Sequence, residues 1–250
     1  MRSIRVLNTT ILDTDESTLL ATMNEGVLLT PNVDHLVLLQ QNREFYDAYA
    51  AAEYHILDSR VLLFLWKIRR ESFATNIAGV DLFPRFCDHH RNDPEIRIFI
   101  LAGEGEEGER VRAMINRKYG REIVTGAYSP TFRFMEDPQE QEVIRQRITA
   151  SGATVVAAGI GAPKQEIWIY RNRSLLPDVR LFMGVGATFD FMLGKQLRAP
   201  RWMQRNGLEW LYRLARDPRR LFRRYLIRDM RFFYYFVQDI VGTYRNPFES

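Results

Sequence analysis

Residues 154–168 read TVVAAGIGAPKQEIW, an apolar run that breaks into glycines and a proline and then opens a helix. A short Val/Ala run bounded by turn residues is how a strand buried on both faces of a parallel sheet reads. Gly159 and Gly161 let the backbone turn sharply and approach a bound group, because no Cβ stands in the way. Pro163 falls near the first helical turn, where its missing N–H costs nothing. The amides that follow point unsatisfied N–H groups forward, which favours an anion in front of them. Gln165 and Glu166 come next, polar groups at the carboxyl end of a strand, where α/β proteins bind ligands.

The same strand, break and helix recurs on either side. Residues 4–12 predict a short strand or hairpin, followed by a helix to about Asn24. Val27–Leu29 predict a buried strand, Thr30-Pro31-Asn32 a break, and Val33–Tyr49 a helix that Asn32 can cap while also touching ligand. In EYHILDSRVLLFLW, Asp58 takes the place Thr30 holds in the preceding unit, as a cap or as a catalytic carboxylate, and His55 reads as a core histidine. Leu82–His90 predict a helix. IRIFILAGEGEEGERVRAMI has the outline of a phosphate loop, but Glu104, Glu106 and Glu107 make it acidic and no Gly-Lys-Ser/Thr closes it, which excludes a nucleoside triphosphatase. Glu122–Ala127 and VRLFMGVGATFDF supply further strands, and Pro138–Ala150 and Pro163–Leu176 further helices. Such units with short connections predict an α/β fold, a mostly parallel sheet with helices on both faces. Thr30, Asn32, Asp58, Gly103, Gln165 and Asp190 then gather along one edge of it.

The 250 residues, 46% of them hydrophobic, suit one large α/β domain with an appendage. No signal-peptide pattern opens the chain and no uncharged run approaches spanning length, so a cytoplasmic protein is expected. The single cysteine, Cys87, excludes an internal disulfide and a cysteine metal cluster, and reads as a core thiol. The net charge of +4 hides an asymmetry: residues 195–231 carry a local +9, with twelve basic side chains against Glu209, Asp217 and Asp229. A mildly acidic body with a basic end fits one anionic partner met by one region.

From Gly194 the pattern becomes helical. One helix is expected to end near Arg216 and another to start with Asp217 as cap and Pro218 at its first position. On the second, Phe222, Tyr225, Leu226, Phe233 and Phe236 share one side, with Arg220, Arg223, Arg224, Arg228 and Arg231 largely on another. An aromatic, basic amphipathic helix suits an anionic membrane surface or a phosphate-bearing lipid. The chain has 31 arginines and four lysines, and the guanidinium fork matches phosphate oxygens. The alternative is a helix packed on the body with solvated arginines. The expected division is a catalytic domain over 1–194 and an Arg-rich helical appendage over 195–250, and a chain ending near Gly194 is expected to stay folded.

LLTPNVDHLVL, ILDS, IAGVDL, IGAPKQEIWI, VGATFDFMLGK and RAPRWMQRNGLEWLYRLARDPRR together resemble the WecG/TagA/CpsF glycosyltransferases of family 26, from about Arg5 to Arg231. The resemblance implies a Rossmann-like domain whose C-terminal appendage helps form the site and touches the membrane. It implies inverting transfer of a sugar from a UDP-sugar to an undecaprenyl-diphosphate-linked glycan at the inner membrane face, in making exopolysaccharide, common antigen, capsule or teichoic acid linkage units. Asp58 falls on the family's proposed catalytic aspartate, and Thr30, Asn32 and Gln165 on other site positions. The chain departs at Asn76, before IAGVDL, where the family usually carries arginine.

The expected UDP-sugar site is Thr30, Asn32, Gly103, Gly161, Pro163, Gln165, Glu166 and Asp190, with Asp58 as general base. Arg213, Arg220, Arg223 and Arg224 are expected to meet the donor phosphates or the lipid diphosphate. No metal and no cofactor are expected. Exposed apolar surface near the tail makes a homo-oligomer an open possibility. The rival reading is a non-enzymatic polyanion- or membrane-binding module, given a pI near 9.3. Nucleic acid is not an expected partner, because the basic residues sit in one tail rather than along a groove with stacking aromatics. A hydrolase reading lacks a paired-carboxylate or nucleophile motif.

Overall fold

The computed structural model describes residues 2–68, 73, 77–103 and 105–249. The chain opens with an antiparallel hairpin, β1 (Arg2–Val6) and β2 (Thr9–Asp13), and α1 (Glu16–Thr22). Then follow β3 (Gly26–Leu29), α2 (Val33–Leu38), α3 (Arg43–Ala50), β4 (Tyr54–His55), α4 (Arg60–Ile68) and α5 (Gly79–His89). The second half of the body is β5 (Ile98–Leu101), α6 (Glu107–Tyr119), β6 (Val124–Tyr128), α7 (Pro138–Ala150), β7 (Val155–Ala158), α8 (Lys164–Asn172), β8 (Leu181–Gly184) and α9 (Thr188–Met192).

The six strands β3 to β8 form one all-parallel sheet in the order β4-β3-β8-β7-β5-β6. Alternate residues of each strand enter opposite cores, as the two-residue period requires. Leu29, Phe99, Val156, Ala158 and Phe182 pack under α2, α3, α7 and α8, while Leu28, Ile98, Ile100, Val155 and Met183 pack under α1, α5 and α6. Burial on both faces is why these strands read as unbroken apolar runs. The connection from β5 runs outward to β6 and that from β7 runs the other way to β8, so a crevice opens outside the carboxyl ends of this adjacent pair.

Two helical expectations are corrected. The run Val33–Tyr49 is two helices, because the Asn42 side chain accepts from Phe45 N–H at 3.0 Å and starts α3 anew. The helix after the β7 turn begins at Lys164 with Pro163 in the capping position, and a 3₁₀ turn over Arg173–Leu175 completes its span.

The C-terminal region consists of α10 (Arg201–Arg205), α11 (Glu209–Arg216), α12 (Pro218–Arg223), a π turn (Arg224–Arg228) and α13 (Arg231–Ile240). Asp217 caps α12 and Pro218 is its first residue, as the sequence predicts. The buried face is another matter. Leu221, Phe232 and Phe236 are the buried apolar side chains of α12 to α13, and Phe222, Leu226 and Phe233 stand exposed beside Met230 and Val237. The buried side is thus rotated toward Leu221 and Phe232 by less than one residue step of roughly 100°, since Phe236 of the expected apolar side stays buried. Arg224 and Arg228 set that rotation by reaching the buried Asp34 of α2. Phe236 packs on Trp66 at 5.4 Å between ring centroids, and Phe232 and Phe236 join the core beneath α2 and α4. Phe232 and Phe236 cover that core, so a chain ending near Gly194 is expected to lose stability as well as activity.

Candidate active site

The site is assembled where β3, β4 and β8 end. Thr30 follows β3 and is buried, its hydroxyl 3.4 Å from the carbonyl of Gly184 on β8. Asn32 caps α2, its side-chain oxygen accepting from His35 N–H at 3.2 Å. Asp58, three residues beyond β4, donates its own N–H to the Pro31 carbonyl at 3.2 Å, which ties the second strand end to the first. One Asp58 carboxylate oxygen accepts from Gly79 N–H at 2.9 Å.

Burial pushes the Asp58 carboxyl up to about 7, against the Gly79 N–H bond that favours its ionised form. Glu209 raises it further, while Arg213 and Arg198 pull it down. A carboxylate so poised near neutrality, partly open to solvent at a strand end, suits a general base. Gly79 is squeezed into this corner. A Cβ there meets the Thr30 hydroxyl at 3.1 Å and the Asp58 carboxylate at 3.3 Å. Gly79→Ala is therefore expected to lower kcat by about tenfold or more through displacement of the base, with a small change in Tm. Turnover equal to wild type contradicts that placement.

The glycine turn after β7 lies next to this group. Gln165 and Glu166 are almost wholly buried. The Gln165 amide accepts from Gly186 N–H at 3.1 Å and donates to Glu166 at 2.7 Å, so it ties the β7 turn to the β8 turn. Its nitrogen also lies 3.2 Å from where a Cβ on Gly184 would stand, on the Thr30 side of the site. Burial pushes Glu166 up to about 7 and His35 down to about 4. The 3.9 Å contact between them therefore joins a neutral imidazole to the carboxyl, and the other ring nitrogen meets the Tyr49 hydroxyl at 2.6 Å. Gly161, at φ +81°, has open space where a side chain would stand, and with Pro163 it lines the β5/β7 crevice. Gly103 lies across that crevice under the Glu107 carboxylate, which pairs with Lys195.

The C-terminal region returns to the same edge. Asp190 accepts from the Gln196 amide at 2.8 Å, and Gln196 accepts from Arg213 at 2.8 Å. Arg198 and Arg213 both lie over the Phe191 ring, at 5.6 and 5.3 Å. Arg198 also meets Asp81 at 3.2 Å, Gln204 at 3.0 Å and Glu209 at 3.4 Å.

Of the four arginines singled out from the sequence, Arg213 is the one whose charge reaches Asp58. Arg220 pairs with Asp217 at 2.6 Å on the surface, Arg223 is exposed, and Arg224 is directed to Asp34 at 2.8 Å. Gly79, Asp81, Arg198 and Glu209 were assigned no role from sequence, although they lie inside the IAGVDL, RAPRW and LEWL stretches. Asn76 and Glu104 lie outside the described residues. Cys87 is buried and its thiol is pushed up to about 12 by that burial, which suits a core residue. His55 is half-buried, stacked on Tyr49 with its ring nitrogens against the Thr10 and Tyr49 carbonyls.

A parallel α/β sheet whose strand ends carry a poised carboxylate, with Arg198 and Arg213 close by, is an arrangement suited to an enzyme. The family model for the WecG/TagA/CpsF glycosyl transferases matches residues 4–246, and the chain belongs to that family. It is a glycosyltransferase of cell-surface polysaccharide synthesis.

Proposed function

We propose that this enzyme moves a sugar, with inversion, from a UDP-sugar to an undecaprenyl-diphosphate-linked glycan. The observation that carries the reading is Asp58, a carboxylate poised near neutrality in the corner formed by Thr30, Pro31 and Gly79. In the reaction the acceptor hydroxyl gives its proton to Asp58 while its oxygen attacks the anomeric carbon. The bond from that carbon to the UDP oxygen breaks on the opposite face, and UDP leaves with the electron pair. A single displacement inverts the centre.

UDP is placed along the β5/β7 crevice, near Gly103, Gly161 and Pro163, with the sugar reaching toward Thr30, Asn32 and Asp58. Gln165, Glu166 and Asp190 act there mainly by holding the turns that shape the site. Negative charge developing on the diphosphate is met by turn amides and Arg213, without a metal. Among the described residues no group of three His, Cys, Asp or Glu side chains could hold a metal ion.

The acceptor's lipid is met at the tail. Phe222, Leu226, Met230, Phe233 and Val237 form an exposed apolar stripe, with Arg223 and Arg231 exposed on the same segment. That combination fits a peripheral position on an anionic leaflet. Among the described residues no helix is long and apolar enough to cross a membrane. NMR of the glycolipid product tests the reading. The transferred sugar is expected to carry the anomeric configuration opposite to the donor's, and retention or transfer to water alone contradicts it.

A further inference from the structure

The contact that fastens the C-terminal region to the base end of the site has a specific composition. Arg198 stands between two carboxylates, Asp81 in the first turn of α5 at 3.2 Å and Glu209 in the first turn of α11 at 3.4 Å. The same α5 begins with Gly79, whose N–H holds Asp58. One guanidinium therefore joins the helix that orients the base to the helix that carries Arg213. These side chains are partly buried rather than loose on the surface: Arg198 is 27% exposed and Glu209 30%. Two further arrangements fix Arg198, the Gln204 amide oxygen at 3.0 Å and the Phe191 ring below its guanidinium.

Both carboxylates are needed for the tie, Asp81 on the α5 side and Glu209 on the α11 side. Glu209 also adds a negative charge felt by Asp58, in a site where Arg198 and Arg213 supply the opposing charges. Glu209 therefore offsets part of the pull of the two arginines, which would otherwise make the base weaker.

We propose that Glu209 is a positioning residue for the transfer: held by Arg198, which is anchored on Asp81, it seats the C-terminal segment, and Arg213 with it, against the helix whose first N–H holds the base. The inference rests on Asp58 acting as the base in sugar transfer. Its consequence is that the strength of the base depends on how α11 is seated.

Two measurements separate this inference from the reading beneath it. Carbon-13 NMR of carboxyl-labelled aspartate in the full chain, with the Asp58 signal assigned by its loss in Asp58→Asn, follows the base without turnover. Glu209→Gln, which keeps an oxygen for Arg198, is expected to lower the Asp58 midpoint by roughly half a pH unit or more. The acid limb of kcat/KM should move in the same direction, with kcat falling more than KM rises, and Glu209→Asp should restore part of the shift. An Asp58 midpoint unmoved in Glu209→Gln, in a protein of unchanged Tm, overturns the positioning role. A midpoint that moves while the acid limb stays fixed leaves Glu209 coupled to Asp58 but removes Asp58 as the base, and with it the role of Glu209 in transfer.

Discussion

Asp58→Asn is expected to lower turnover by about 10²- to 10⁴-fold, the usual worth of a positioned proton acceptor, while UDP binding stays near wild type. Asparagine keeps an oxygen for the Gly79 N–H and changes the site's shape little, so the loss isolates the base. The same variant is expected to be more stable than wild type at pH 8. The folded-state value of Asp58 stands near 7, above its ordinary 3.8, so the folded protein holds that proton more tightly than the unfolded chain does. Between about pH 4 and 7 this group's contribution to stability falls as pH rises, and above 7 the ionised carboxylate is a cost. Asparagine relieves a cost on the order of 2 kcal/mol once partial access of water is allowed. Wild-type activity should correspondingly rise with pH through about 7 as Asp58 ionises. A drop in Tm at pH 8 together with near-normal turnover contradicts the assignment.

The second large effect lies at Asp34, whose side chain is 3% exposed and pairs with both Arg224 and Arg228. Asp229 shares the pocket and is pushed up to about 7, by burial first and then by Asp34. Asp34→Ala leaves two guanidinium groups facing the core with that one remaining carboxyl. Breaking a buried pair this way is expected to cost about 3 kcal/mol, the low end of the range because both arginines reach water and Asp229 ionises more readily without Asp34. For a chain of this size the Tm should fall by about 6–10 °C. Arg223→Ala, on the exposed side of the same helix, is the control and should change Tm little. Equal stability in the two variants contradicts the view that the Asp34 pairings fix the rotation of the tail.

Much of this architecture is legible in the sequence because its signals are local. Pro138–Ala150 is a helix from its predicted first residue to its last, and Asp217-Pro218 starts a helix where a cap and a proline should. The strands carry their own punctuation of Gly, Pro and Asn. The split within Val33–Tyr49 was hidden because apolar spacing continues across Asn42, and a single capping side chain decided the matter. The face of the tail was hidden for a different reason. Periodicity measures only apolar burial, whereas Asp34, far away in sequence, draws Arg224 and Arg228 inward and turns the helix about its axis.

The candidate site divides the same way. Thr30, Asn32 and Asp58 announce themselves as polar residues ending apolar strands. Gln165 and Glu166 have the same signal, but their side chains turn inward to hold the β7 and β8 turns. Arg198 and Glu209 give no local signal, since their meaning comes from Asp81 and Asp58 across the fold.

Release of UDP by the full chain from a panel of UDP-sugars, in EDTA and with or without a polyprenyl-diphosphate-linked glycan in detergent, tests the central claim most directly. The account predicts rapid release from one sugar, only with the acceptor present and undiminished by EDTA. No release with any sugar, with no thermal shift on adding UDP, contradicts the nucleotide-sugar reading. Release abolished by EDTA and restored by Mg²⁺ or Mn²⁺ contradicts the metal-free role given to Arg213 and the turn amides.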